Sequence, residues 1–548
     1  MNEVKKYWDF GFPLVAVLLS LVATIEGFSY GIDTLYDEGS HCLDMMSSLY
    51  SNIPGDDRTW WSDIFLAIFG KDICSSVLSL RMIKLVIALL TSIIFWLLTQ
   101  DIAATWHEKI AYLTVLLMAA APTMGGIMAC YNSFSQFLLI VACGVIYRLC
   151  KSEKQITIGA YAAVLGCLLT FSMFSIVVSG FVISVVMLIL VIIRYWKRWK
   201  EVAIVFGMMA VGGTLTLLWI HLFAINLNEV WHDVLETSQT ITNVNRGYDP
   251  ITMVTKMVLF CRDMSFCALM VIGAIYVSKR IAEIVRPLVG GVFFIIILIS
   301  YAYYQKKPEL TTSMLLSMLW ILPLLQREKN MELKQFFQFE NLFSLFLLLF
   351  PLMAVLGTNV YIGSKMVWFM LPWVFLSWKC GFAKSNKMLR TAVLIVLSLS
   401  LIRPSIYKLK DIDPSREVVK FGMFKGMHMT HAQSEHMEKV DSIVNQYNYH
   451  RGESIFFTTQ LSMATCCLLD AVPCGFYFQP MDFVAHANDP MPIPDFLFIC
   501  KYDEDIAGKT LRNMPWGWPE DFDKYYVGSP DALNVGYPTE RWLYCRKK

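Results

Sequence analysis

Two adjacent carboxylates, Asp37 and Glu38, follow shortly after the first long apolar run of the sequence. Charged side chains are costly to place near lipid, so a pair at this position indicates a water-filled cavity at the membrane surface. Neighbouring side chains point in different directions, and Asp37 could then face the cavity and act as a general base toward a hydroxyl. The dipeptide alone favours a solvated loop whose acids stabilise the start of the next helix.

The residues after this pair favour a membrane-surface cavity over a solvated loop. Residues 40–53 predict an amphipathic helix, and its apolar face would carry Cys42, Leu43, Met46 and Leu49. A second short segment starts at Trp60 and Trp61, and tryptophan is enriched where a membrane meets water. The order is therefore a span, an acidic pair, an interfacial helix, a Trp-rich segment and another span, which predicts a loop lying along the membrane.

This order resembles the GT-C glycosyltransferases, polytopic enzymes that use polyprenyl-phosphate-linked sugars and include protein O-mannosyltransferases and aminoarabinose transferases. In that superfamily the first outer loop carries an Asp-Glu-type acidic motif. Here the matching residues are Tyr36-Asp37-Glu38-Gly39. The resemblance implies that Asp37 is the catalytic base and that Glu38 supports it or helps to bind a divalent metal.

The resemblance also implies an Arg or Lys in a later outer loop that binds the donor phosphate. The candidates in this sequence are Arg246, Lys306, Lys307 and Lys365. Basic residues are depleted from outer loops, which makes each of these notable, although an interfacial lysine can also simply reach toward lipid headgroups. Residues expected to line the cavity or contact the acceptor are Tyr36, His41 and His232.

The elements that must position these residues are membrane helices. Of 548 residues, 56% are hydrophobic and only 16% are charged, whereas a soluble domain carries about a quarter of its residues as charges. Apolar runs of roughly 20 residues can cross a bilayer, and they predict about thirteen spans. These spans cover residues 10–28, 76–99, 110–129, 133–148, 156–174, 175–193, 202–224, 263–278, 288–304, 311–326, 340–357, 365–379 and 389–403.

Lys and Arg are sorted by loop, which predicts the orientation. With these spans, the strongly basic loops all lie on the side of Lys5 and Lys6, so the N-terminus is expected in the cytoplasm. The membrane part would cover residues 1–403, with long outer loops at 29–75 and 225–262. Residues 404–548 would then form an outer domain, and strand-like runs at 454–459, 494–499 and 542–545 predict a small α/β fold.

The sequence thus predicts an α-helical polytopic membrane protein with a small extracytoplasmic α/β domain. By its resemblance, it would move a sugar from a polyprenyl-phosphate donor to a hydroxyl on a lipid, glycan or protein acceptor. A lipid-linked sugar flippase or other transporter, or a non-catalytic assembly subunit, are the alternatives. Charges are nearly absent from the middle of the spans, and Arg81 and Lys84 lie near the start of the second one. Nothing indicates a nucleic-acid partner, and the compact loops favour a bacterial plasma membrane.

Overall fold

The structure is a computed structural model. It describes residues 10–31, 37–49, 60–124, 128–228, 339–356, 365–379, 381–382, 387–458, 463–474, 491–528 and 540–547, together with residues 230, 255, 258, 483–484 and 487–488.

The membrane part consists of helices joined by short connections. In chain order they are α1 (Gly11–Glu26), α2 (Asp37–Leu49), α3 (Trp60–Phe69), α4 (Lys71–Cys74), α5 (Val77–Thr99), α6 (Trp106–Met124), α7 (Tyr131–Lys151), α8 (Gln155–Ser175), α9 (Val177–Tyr195), α10 (Trp199–Phe223), α11 (Phe339–Met353), α12 (Leu371–Lys379) and α13 (Lys387–Lys410). Within the described ranges, five helices are long and apolar enough to cross a membrane, namely α5, α7, α8, α9 and α10. The chain is therefore a multi-pass membrane protein.

Most of the predicted spans that fall on described residues each coincide with a single, separate helix. The exception is 365–379, where a 3-10 turn at Val367–Phe369 precedes α12. Pro372 lies in the first turn of α12 and has no N–H to donate to an uninterrupted helix, which accounts for the break. The last helix runs on to Lys410, past the predicted end at residue 403. The spans predicted at 263–278, 288–304 and 311–326 lie outside the described residues.

Helices α8 and α10 pack closely through glycines. A Cβ atom at Gly166 would overlap the carbonyl oxygen of Met209, and one at Gly212 would overlap that of Ala163. Only glycine permits this approach at these positions. Small residues at such contacts let helix backbones meet where lipid gives no hydrophobic drive for association.

The C-terminal part contains a five-stranded sheet in the order β2-β1-β3-β5-β4. Its elements are α14 (His431–Val444), β1 (Ile455–Thr458), α15 (Met463–Leu469), β2 (Val472–Pro473), β3 (Phe496–Cys500), α16 (Lys501–Asn513), β4 (Phe522–Tyr526) and β5 (Arg541–Arg546). Strand β1 pairs in parallel with β2 and β3, whereas β5 is antiparallel to β3 and β4. The three strand-like runs of the sequence correspond to β1, β3 and β5. Strand β3 is buried along its whole length, which explains its uninterrupted apolar sequence.

Several contacts join this part to the ends of the loop between α1 and α5. The backbone N–H of His428 donates to the Ser29 carbonyl at 2.6 Å, and the His428 ring stacks on Tyr30 with centroids 4.3 Å apart. The backbone N–H of Val77, at the start of α5, donates to the Met423 carbonyl at 2.9 Å. The segment after α13 thus contacts both ends of the loop that contains the acidic pair.

His436 on α14 should make this part of the protein acid-sensitive. Its burial, together with the nearby Arg541, lowers the pKa of His436 to about 4. The unfolded chain then binds more protons than the folded one between pH 6.5 and 4, so stability falls as the pH drops through that window. One pKa unit corresponds to ~1.4 kcal/mol, and we expect a loss of up to ~3 kcal/mol. Melting temperatures of His436→Gln should fall less than those of wild type over this range.

The matched control is His431→Gln, because His431 on the same helix is exposed. It should follow the wild-type pH dependence. If His436→Gln kept the wild-type pH dependence, His436 would not be the source of the acid sensitivity.

Candidate active site

Helix α2 begins at Asp37, so the acidic pair forms its first turn. Acidic residues are favoured there because the N-terminus of a helix carries partial positive charge. His41 follows Asp37 by four residues, and residues with this spacing lie on the same side of a helix. The structure describes the backbone of Asp37 and Glu38, and their side chains lie outside the described residues.

Arg81 on α5 anchors the chain just before the acidic pair. Its guanidinium donates to the carbonyl oxygens of Phe28 and Tyr30 at 2.7 and 3.0 Å, and to that of Gly31 at 2.7 Å. Arg81 is 4% exposed. These carbonyls belong to the segment that follows the end of α1 at Glu26. One buried cation therefore fixes the point from which the chain enters the loop between α1 and α5.

His41 is buried between aromatic rings. Its ring meets Trp61 of α3 and Tyr131 of α7 edge-on, with centroids 5.8 and 5.7 Å apart. Its Nδ1 atom lies 3.5 Å from a carboxylate oxygen of Asp44, one turn further along α2. The imidazole is thus held at a junction of three helices, with a carboxylate beside it.

Cys130 faces this histidine from the N-cap position of α7. The thiol accepts from the backbone N–H of Ser133, and the Ser133 hydroxyl accepts in turn from the Cys130 N–H at 3.4 Å. The side-chain amide of Asn132 lies 3.8 Å from the sulfur. Donors converging on a sulfur atom at a helix N-terminus favour its thiolate form.

Two lysines from different parts of the chain approach the same point. Lys84 of α5 is 2% exposed, and its ammonium lies 4.9 Å from the centre of the Trp368 ring. Lys365 donates to the Tyr131 hydroxyl at 3.4 Å and lies 5.3 Å from the centre of that ring. Aromatic faces attract cations in this geometry.

The electrostatics of the site follow from this arrangement. Burial opposes ionisation of Cys130, but the positive charge of His41, with smaller effects of Lys84 and Lys365, outweighs it and lowers the pKa of the thiol to about 6. Burial likewise disfavours protonation of His41, yet Cys130 and Asp44 raise the pKa of the imidazole well above its ordinary value. The thiol and the imidazole therefore each favour the charged form of the other.

The structure brings together only some of the residues predicted from the sequence. His41 and Lys365 share the junction next to α2. The residues Tyr36, His232, Arg246, Lys306 and Lys307 lie outside the described residues. Sequence reasoning did not assign Lys84 or Cys130 to the site. A lysine within an apolar run was a usable signal for Lys84, whereas nothing in the local sequence distinguishes Cys130 from the other cysteines.

In the described ranges, no group of three or more His, Cys, Asp or Glu side chains is arranged to hold a metal ion. The histidines that crowd the segment after α13 have separate environments. His428 stacks on Tyr30, His431 lies 3.3 Å from the Glu435 carboxylate, and His436 is buried against Val527.

No protein-family model matches the chain, and no curated protein matches it in sequence. Among solved structures, ArnT from Cupriavidus metallidurans bound to undecaprenyl phosphate is similar over 97% of this chain and 97% of its own length, with 10% identity and a TM-score of 0.40. The Archaeoglobus fulgidus oligosaccharyltransferase with Zn and sulfate is similar over 96% of this chain and 73% of its own, with 12% identity and a TM-score of 0.46.

Both are GT-C glycosyltransferases, the class that the sequence resembles. With identities of 12% or less and TM-scores below 0.5, these likenesses do not show the activity of this chain.

We expect Cys130 to react as a thiolate at neutral pH. Methyl methanethiosulfonate should modify it with a midpoint near pH 6, read by peptide mass spectrometry. The matched control is Cys474, which is equally buried but whose pKa is raised by burial to about 12. It should stay unmodified. The variant Lys84→Met should move the Cys130 midpoint upward, and equal reactivity of the two cysteines at pH 7 would contradict the prediction.

Proposed function

We propose that this protein is a membrane glycosyltransferase that uses a polyprenyl-phosphate-linked sugar and transfers it to a hydroxyl outside the cytoplasmic membrane. In this proposal the N-terminus is cytoplasmic, and residues 404–548 lie on the outer side with the first loop. The acceptor is a lipid, a glycan or a protein.

The observation that carries the proposal is the convergence of cationic groups beside the first turns of α2. Lys84, Lys365 and His41 gather around the N-terminus of α7. Helix N-termini and lysines together favour bound phosphate. Buried cations near lipid are costly unless an anion or a polar cavity accompanies them, and they mark functional sites.

Asp37 is the base in the proposed reaction. Its carboxylate takes the proton of the acceptor hydroxyl, whose oxygen attacks the anomeric carbon on the face opposite the phosphate. The bond from that carbon to the phosphate oxygen breaks through a transition state with oxocarbenium character. Glu38 supports the base from the same helical turn.

The lysines act on the leaving group in this proposal. The polyprenyl phosphate gains negative charge as its bond to the sugar breaks, and fixed cations stabilise that charge most where water is excluded. Lys84 is held against Trp368, and Lys365 is held against Tyr131.

Replacing the base should separate chemistry from binding. In nanodiscs with a panel of polyprenyl-phosphate sugars, Asp37→Asn should lose ~10²–10⁴-fold in transfer rate while donor binding persists. Glu38→Gln should lose less. If wild type binds donor without transferring sugar and Asp37→Asn behaves identically, the catalytic proposal is wrong and lipid-linked sugar transport replaces it.

Replacing the lysines should instead weaken donor binding. Hydrogen bonds to charged groups are worth ~1.5–3 kcal/mol, so Lys84→Met and Lys365→Met should each raise the donor Kd by about ten- to a hundredfold. Lys71→Met is the matched control, since Lys71 is an exposed lysine of the first outer loop. Unchanged donor binding in both site variants would contradict this assignment. Arg246, or Lys306 and Lys307, would then be the candidates for binding the donor phosphate.

A further inference from the structure

Four sulfur atoms meet in the core where the first outer loop contacts the C-terminal part. Cys42 and Met46 come from α2, Met128 from the segment before α7, and Cys467 from α15. Their side chains are 0%, 2%, 0% and 0% exposed, respectively. None of these residues takes part in the function proposed above.

The sulfurs face one another in pairs. The Cys42 sulfur lies 3.6 Å from that of Met128, and the Cys467 sulfur lies 3.6 Å from that of Met46. The two thiols also interact with each other. Cys42 and Met46 are one helical turn apart, which places both on the same side of α2.

These separations suit a shared metal ion. Metal–sulfur bonds of ~2.3 Å around a tetrahedral ion separate the ligand sulfurs by ~3.8 Å, close to the 3.6 Å of both pairs. Two thiols and two thioethers are soft ligands, and this class of ligand selects Cu(I) over harder divalent ions.

We propose that Cys42, Met46, Met128 and Cys467 form a buried binding site for Cu(I). Binding replaces the two thiol S–H bonds with two Cu–S bonds and releases two protons to solvent, while the thioethers donate lone pairs. The copper stays monovalent, so no oxidant or reductant is needed.

The proposed site would act as a clamp. Its ligands lie on α2, on the segment before α7 and on α15, so the ion would join the C-terminal part to the loop helix that begins at Asp37. A ligand that binds only the folded state stabilises it by mass action. Cu(I) should therefore raise the melting temperature of the protein.

The test uses the full-length protein in detergent, without oxygen, with Cu(I) supplied against bicinchoninate as competitor. Wild type should retain one equivalent of Cu(I), and X-ray absorption should show sulfur scatterers alone. The variants Cys42→Ser, Cys467→Ser and Met46→Leu should lose the metal to the competitor. Met46→Leu keeps the volume of the side chain, so it guards against loss through misfolding.

The matched control is Cys466→Ser. Cys466 neighbours Cys467 and is equally buried, but its thiol donates to the Ala471 carbonyl at 3.4 Å. This variant should bind Cu(I) as wild type does. Absence of stoichiometric binding, a disulfide between Cys42 and Cys467 in the purified protein, or equal retention of Zn(II) would each overturn the proposal. None of these results bears on sugar transfer.

Discussion

The contact between Arg81 and the segment that follows α1 sets the position of the loop between α1 and α5. Backbone carbonyls without a partner in a helix or strand need another hydrogen-bond donor. Arg81 provides it to Phe28, Tyr30 and Gly31 at once. The His428 ring also stacks on Tyr30. The acidic pair follows six residues after Gly31, so its location depends on a cation contributed by a different helix.

The rest of the site is built around helix α2. His41 faces Tyr131 and Trp61. Cys42 and Met46 of the same helix contact the sulfur atoms of Met128 and Cys467, respectively. Helix α2 is amphipathic and short, and a short helix is marginal on its own. Helix α2 therefore depends on packing against the membrane helices and the C-terminal part to stay folded. The sheet of the C-terminal part and the candidate site are connected through this helix.

Much of the helical architecture follows from hydropathy alone. The runs at 76–99, 156–174 and 175–193 match α5, α8 and α9 closely, because a span must be apolar over its full length. Strands β1, β3 and β5 were also predicted, since their apolar and aromatic content is typical of buried strands. Strands β2 and β4 were not predicted, because β2 is two residues long and β4 is polar and half-exposed.

By itself the sequence indicated that the chain crosses the membrane many times, that an acidic pair follows the first apolar run, and that His41 and Lys365 are candidate site residues. Only the tertiary structure decided that Cys130 and Lys84 join them. These two residues are far apart in the chain, and only Lys84, which lies within an apolar run, is unusual in its own segment. Their charges affect one another only through distances set by helix packing, and no local pattern of residue types encodes those distances.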